Sequence, residues 1–137
     1  MNKPKLNENN ERQLISSGTS WEQQFGYSRA VKTHNMVYVA GTTSVDETGK
    51  IIGLNDPYQQ AVFIYKKIDK ALQEAGSSLK DVVRVRTFVT DIARWKEAAK
   101  AQGEVFAEIR PAATLVQVSA LVEKELLVEI EVDAIIH

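Results

Sequence analysis

Cysteine is absent from the 137 residues, which excludes disulfides, thiolate metal sites and cysteine catalysis. Histidine occurs only twice, at His34 and at the last position, His137. Neither stands in a spaced set of further histidines or carboxylates, so we expect no metal site and no cofactor. A glycine-rich phosphate loop is also missing, because Gly41, Gly49 and Gly53 are too dispersed to form one. No apolar run approaches the length that crosses a membrane, and the opening "MNKPKLNENNERQL" lacks the apolar segment of a signal peptide. A cytoplasmic protein without membrane contact is the expectation. Charge of one sign is lacking as well. Seventeen basic and 18 acidic residues leave a net charge of −1, which removes the usual electrostatic drive toward nucleic acid.

What is present fits an ordinary globular chain, with 44% hydrophobic and 26% charged residues. A length of 137 residues is most simply one domain, 1–137, around one core. The first ten residues are polar and expected to be loose. "RQLIS" reads as a short first strand that "SGTS" breaks. Residues 27–33 and 36–42 read as two strands joined tightly through His34 and Asn35. "DETGK" is a turn in which Gly49 is free to take a positive φ.

Asp56-Pro57-Tyr58-Gln59 is a helix start: Asp56 caps, Pro57 suits the first helical position and Gln59 completes the box. Ala61, Tyr65, Ile68 and Leu72 follow at helical spacing, and Gly76 is a stop. Residues 82–89 alternate as a strand, with Val83, Val85, Thr87 and Val89 on one face. Asp91 can cap a second helix, whose Trp95, Ala98, Ala99, Gln102 and Phe106 share a side. Residues 113–120 and 126–136 are two further strands. The order predicts an α+β fold, one sheet with two helices on one face. The opposite face would carry Met36, Tyr38 and Phe88, too apolar to be left to water, which predicts burial against other copies of the chain.

Chemistry can sit in few places. On the last strand Val128, Ile130, Val132, Ala134 and Ile136 point one way, and Glu129, Glu131 and Asp133 the other. For Glu131 and Asp133 the expected role is ion pairing with Arg84 and Arg86. Glu129 differs only if it enters a cleft, where burial would tune it to hold a water or take a proton. Ser16, Ser17, Ser20 and Ser28 have no nucleophile context, and Trp21 and Trp95 read as core or interface. In "IRPAATLVQVSAL", Pro111 restricts the backbone of Arg110 and the small Ala112 and Ala113 leave room beside it. A guanidinium so placed can bind a carboxylate through two parallel hydrogen bonds. The alternative is a solvated arginine that satisfies the end of the preceding helix.

The stretches "GYSRAVKTHNMVYVAGTTS", "ALQEAGSSLKDVVRVRTFVTDI" and "RPAATLVQVSALVEKELLVEIEVDAI" together resemble the Rid (YjgF) family of reactive-intermediate deaminases, from about Gly26 to the end. That resemblance implies a chorismate-mutase-like fold: a homotrimer whose sheets form a central barrel, with helices outside and ligand sites in clefts between subunits. It also implies hydrolysis of 2-aminoacrylate-type enamines and imines to 2-oxo acids and ammonia. By resemblance Glu129 is the glutamate that positions the hydrolytic water. Tyr27 is the early tyrosine, Gly41 the pocket glycine, and Leu115 stands where the family has a cysteine. Ala40 replaces a serine, and Ala113 replaces the arginine that binds the substrate carboxylate.

The implied protein therefore acts on, or binds, a reactive enamine- or imine-type metabolite, and the standard 2-aminoacrylate activity is expected to be weak or absent. Arg110 would be an auxiliary anion contact at the cleft rim, facing Glu129. The alternatives are a non-catalytic trimer that binds a metabolite or partner, and, less favoured, RNA cleavage or translation inhibition.

Overall fold

The computed structural model describes residues 12–137, so the expectation of a loose polar lead lies outside the described residues. Six strands form one sheet in the order β1-β2-β3-β6-β4-β5. They are β1 (Gln13–Ile15), β2 (Ala30–Thr33), β3 (Met36–Thr43), β4 (Val82–Val89), β5 (Ala112–Gln117) and β6 (Val128–Ile135). All pairings are antiparallel except β4 with β5, which is parallel and makes the sheet mixed.

Two main helices, α2 (Pro57–Glu74) and α3 (Trp95–Phe106), accompany it, with a short α1 (Ser20–Phe25) near the start. α2 begins as its sequence dictates: the Asp56 side chain accepts from Gln59 N at 3.0 Å, with Pro57 in the first turn. Its Ile64, Ile68 and Leu72 are fully buried with Val37, Val85, Val128, Ile130 and Val132 of the sheet. Each such aliphatic side chain contributes about 1.5–3 kcal/mol by leaving water. α3 packs on α2, where Tyr65 and Phe106 meet edge-to-face with ring centroids 5.5 Å apart.

The hairpin closes at His34, which takes a left-handed φ of 53°, and Thr33 pairs with Met36. In the next turn the Asp46 carboxylate accepts from Thr48 N, Thr48 Oγ1 and Lys50 N, and Gly49 has a φ of 88°. Asp91 caps a 3-10 turn, Ile92–Arg94, that leads into α3 rather than capping α3 itself.

Several expectations need correction. α1 was not foreseen; Thr19 accepts from Trp21 N, and Gly26 ends the helix at a φ of 72°. "Thr-Ser-Trp-Glu" is a capping-box pattern followed by a C-terminal glycine, so the signal was present. On β4 a register shift between Val82 and Arg84 puts Val82 in the core and leaves Val83 exposed. Strict alternation fails there because a bulge inserts a residue. Trp21 and Trp95 are about half exposed in the single chain, at 46% and 43%, which takes them out of the core and leaves the interface expectation standing.

The face of the sheet away from α2 carries Met36, Tyr38, Arg86, Phe88, Glu129, Glu131 and Asp133. α1 reaches one part of it, where Glu22 and Gln23 share a cavity with Tyr38, Arg86 and Glu131, and Tyr38 is still 41% exposed. β5 is an edge strand whose residues are mostly exposed.

Candidate functional site

Gly41 lies where β3 slips register against β6, between Val39 and Thr42. At that irregularity the Glu129 carboxylate lies over the glycine. A Cβ built on Gly41 would collide with Oε2 and come within 3.1 Å of Cδ. Glycine is therefore required here for the close approach of the Glu129 carboxylate, and not for a positive φ. Glu129 is half-buried, and among the described residues its carboxylate has no hydrogen-bond or ion-pair partner. Burial raises its pKa above the ordinary glutamate value. Arg29 pulls it partly back and Glu131 pushes it up again.

The second charged group of the site is Arg29, which had drawn no role from the sequence although it stands in "YSRAV". Its backbone continues the ladder, donating to Ile15 O at 2.9 Å and accepting from Ala40 N at 2.9 Å. Ala30, next to it, is buried on the helix side, so period two sends Arg29 to the helix-free face that Glu129 also occupies. Arg29 Nη2 donates to Gly41 O at 2.6 Å, and its buried Nε has no partner. Tyr27 sets its ring against the guanidinium, 5.9 Å from Cζ to centroid. Burial lowers the Arg29 pKa, while Tyr27, Glu22 and Glu129 raise it.

Two more groups build the walls. Glu22 is buried and accepts from Ser17 N and Ser17 Oγ, which fastens the start of α1 beside Tyr27. Tyr27 N in turn donates to Glu22 O at 3.0 Å. Lys67 of α2 donates to Thr43 O at 2.7 Å and Val45 O at 2.9 Å, holding the strand end next to Gly41. Burial and the nearby Arg29 charge push its pKa down to about 8, against a smaller upward pull from Asp46. An open cavity of about 890 Å³ is lined by Tyr27, Arg29, Thr43 and Lys67 among others.

The sheet register decides which expected residues meet. Tyr27, Gly41 and Glu129 gather around Arg29. Glu129 shares a row with Phe88 and Val116, whereas Ala113 shares one with Val85 and Val132, and Leu115 one with Thr87 and Ile130. Ala113 and Leu115 therefore belong to the opposite face, and Leu115 packs against the core cluster. β5 starts at the far end of the sheet from Glu129, so Arg110 lies roughly 20 Å away along the strands at about 3.3 Å per residue. Within one chain Arg110 and Leu115 do not reach Glu129; they can approach a Glu129 only from another copy. As for the other carboxylates, Arg86 pairs with Glu131 at 3.4 Å and Asp133 at 3.6 Å, the expected ion pairing. Arg84 is exposed and forms no ion pair among the described residues. No group of three or more His, Cys, Asp or Glu side chains able to hold a metal occurs among the described residues.

Arg110 itself is exposed and has a left-handed φ of 56°. Its N–H donates to Phe106 O at 2.9 Å, closing the helix end, while Pro111 forbids it to continue as helix. A residue with a Cβ is strained in that region. Arg110→Gly is therefore expected to stabilise the fold by about 0.5–1 kcal/mol, read as a higher midpoint in thermal unfolding. An unchanged or lower midpoint would mean that the guanidinium makes a compensating contact.

The family model for endoribonuclease L-PSP matches residues 19–136. The chain belongs to that family, the Rid (YjgF) family. A crystal structure from Mycobacterium tuberculosis, described as a member of the YjgF/YER057c/UK114 family, is 42% identical and superposes with a TM-score of 0.83, covering 91% of this chain and 99% of that one. The fold is thus chorismate-mutase-like, with one mixed sheet and two main helices, as the resemblance implied. The chain is also similar to a RutC family protein of Pyrococcus abyssi, 38% identical over 106 residues, which span 77% of this chain and 82% of the relative. A 3-aminoacrylate deaminase RutC of Acinetobacter baylyi is 36% identical over 104 residues, 76% of this chain and 82% of the relative. No helix among the described residues is long and apolar enough to cross a membrane.

Proposed function

We propose that this Rid-family protein is a cytoplasmic hydrolase of small reactive enamines or imines that works as a homotrimer with its sites in the clefts between subunits. The observation that carries the reading is the Glu129 carboxylate, half-buried over Gly41 and without a hydrogen-bond or ion-pair partner among the described residues. A carboxylate that no donor among the described residues engages is available to a water, and its raised pKa makes it a better proton acceptor than an ordinary glutamate.

The reaction follows from that group. An enamine substrate first gains a proton from solvent on carbon and becomes the iminium ion. Water attacks the imine carbon as Glu129 takes one of its protons, giving a carbinolamine. Return of that proton to nitrogen lets the C–N bond break, so ammonia leaves and the hydroxyl gives up its proton to solvent to leave the carbonyl. Tyr27 and Gly41 line the Glu129 side. The β5 edge of a neighbouring copy supplies the other wall. A deaminase among the relatives supports the reaction class. Ala113, where the family has its carboxylate-binding arginine, predicts weak turnover of 2-aminoacrylate itself.

The test is ammonia release from a panel of enamines and imines generated in solution, beside light scattering at micromolar concentration. Turnover of at least one compound is expected, at three times the 15.3 kDa chain mass. Binding without ammonia release across the panel would instead make the protein a non-catalytic metabolite binder. A stable monomer would end the cleft assignment. RNA cleavage is not favoured, because Arg86 of the open sheet face is already engaged by Glu131 and Asp133 and the net charge is −1.

A further inference from the structure

Arg29 and Glu129 face the same side of the sheet on either side of Gly41, yet no ion pair joins them among the described residues. Each is held back by a separate contact. Arg29 is tied through Nη2 to Gly41 O, and the Glu129 carboxylate lies over the Gly41 Cα. Arg29 lines the open cavity of about 890 Å³ together with Tyr27 and Lys67, so a ligand can reach its guanidinium. The guanidinium is also under-used: among the described residues only its Nη2 has an acceptor, and Nε is buried with none. Lys67 cannot take its place, because its ammonium is spent on two backbone carbonyls. Glu22, whose charge also raises the Arg29 pKa, is engaged by Ser17.

We propose that Arg29 is the anion-binding residue of this site, gripping the carboxylate of a small 2-oxo-acid-type or enamine-acid ligand from the Glu129 side of the cleft. This rests on the hydrolase reading only for the location of the site, and binding alone tests it. The face of Tyr27 backs the guanidinium and restricts its swing, and the carbonyl of Gly41 fixes the plane of its fork. A carboxylate bound there lies beside Glu129, so a carbon attached to it comes within range of the water that Glu129 holds. The cation thus stands on the Glu129 strand system itself, whereas position 113 belongs to the other face and the other edge. A ligand held this way meets Glu129 from a different direction, which changes the preferred substrate without removing the requirement for an anion.

The probe is pyruvate, with pyruvamide as its uncharged counterpart, titrated calorimetrically into the assembled wild-type protein. Pyruvate is expected to bind more tightly than pyruvamide. Arg29→Gln keeps a planar donor for Gly41 O but removes the charge, and should weaken pyruvate binding about 10-fold or more while leaving pyruvamide unchanged. Arg110→Gln should leave both unchanged. In wild-type protein labelled with ¹⁵N, the Arg29 Nε–H signal should shift on adding pyruvate, a measurement that survives even if the variant fails to fold. Equal affinity of wild type and Arg29→Gln for pyruvate overturns the proposal. So does a loss confined to Arg110→Gln, an unmoved Nε–H signal, or no pyruvate binding by the wild type. Binding that follows this pattern in a protein that releases no ammonia from any enamine would sink the hydrolase reading and leave Arg29 in place.

Discussion

Glu129→Gln is expected to lower turnover of the best enamine or imine substrate by about 10²–10⁴-fold, the range general base catalysis supplies. Glutamine has the shape of glutamate and fits above Gly41, but it cannot take a proton from water. Stability should hold or rise, because burial is the largest influence on Glu129 and penalises the charge that the substitution removes. That combination separates a catalytic loss from a structural one. The pH profile adds a second check. Glu129 works as a carboxylate, so activity falls as pH drops through its pKa. Burial raises that pKa, more than Arg29 lowers it, so the acid limb should lie above the ordinary glutamate value. Removing Arg29 deletes the one named influence that lowers it, and the limb should move further up in Arg29→Gln. Turnover of Glu129→Gln within a few-fold of wild type would remove Glu129 from the reaction.

The largest loss of stability is expected at Gln60, a buried polar residue of α2 with no accessible surface. Its side-chain amide donates to Gly53 O at 3.1 Å and Glu125 O at 3.0 Å, and its carbonyl accepts from Leu127 N at 2.9 Å. One side chain therefore ties the helix to the loop before it and to the segment that enters β6. Gln60→Leu preserves the volume but leaves three backbone groups without their partners. Each such group costs about 1–3 kcal/mol, less where water can reach it, so a loss of about 3–5 kcal/mol is expected in denaturant unfolding. The consequence extends to the site. Leu127 is followed by Val128 and Glu129, and loosening its anchor loosens the register that lays the carboxylate over Gly41. A loss below 1 kcal/mol would show that water replaces the glutamine without strain.

These two residues differ in how visible they are before folding. Glu129 was singled out by its place on an alternating strand and by the resemblance of "VEIEVDAI" to the family. Gln60 follows a capping sequence on a helix and looks like any exposed glutamine, since its importance comes from two loops that meet it only in the fold. Arg29 is a similar case. "YSRAV" shows an arginine in a strand-like stretch, but Gly41, Glu129 and Tyr27 surround it only after β2, β3 and β6 pair.

The sequence alone determined the elements whose causes are local. Asp56 and Pro57 start α2, Gly49 and His34 turn the chain, and period two sends Val128, Ile130 and Val132 to the core with Glu129 opposite. It also carried the family, because the motifs of three separated stretches agree in order and spacing. Tertiary structure alone decided the rest. The bulge on β4 exchanged Val82 for Val83, and the irregularity at Gly41 made room for a carboxylate. The parallel pairing of β5 sent Ala113 and Leu115 to the face opposite Glu129, and Arg110 to the far end. Strand partners, register and bulges depend on contacts between residues far apart in the chain. Periodicity within a strand says which side chains share a face; it says nothing about which strand lies next to it or how far that strand has slipped.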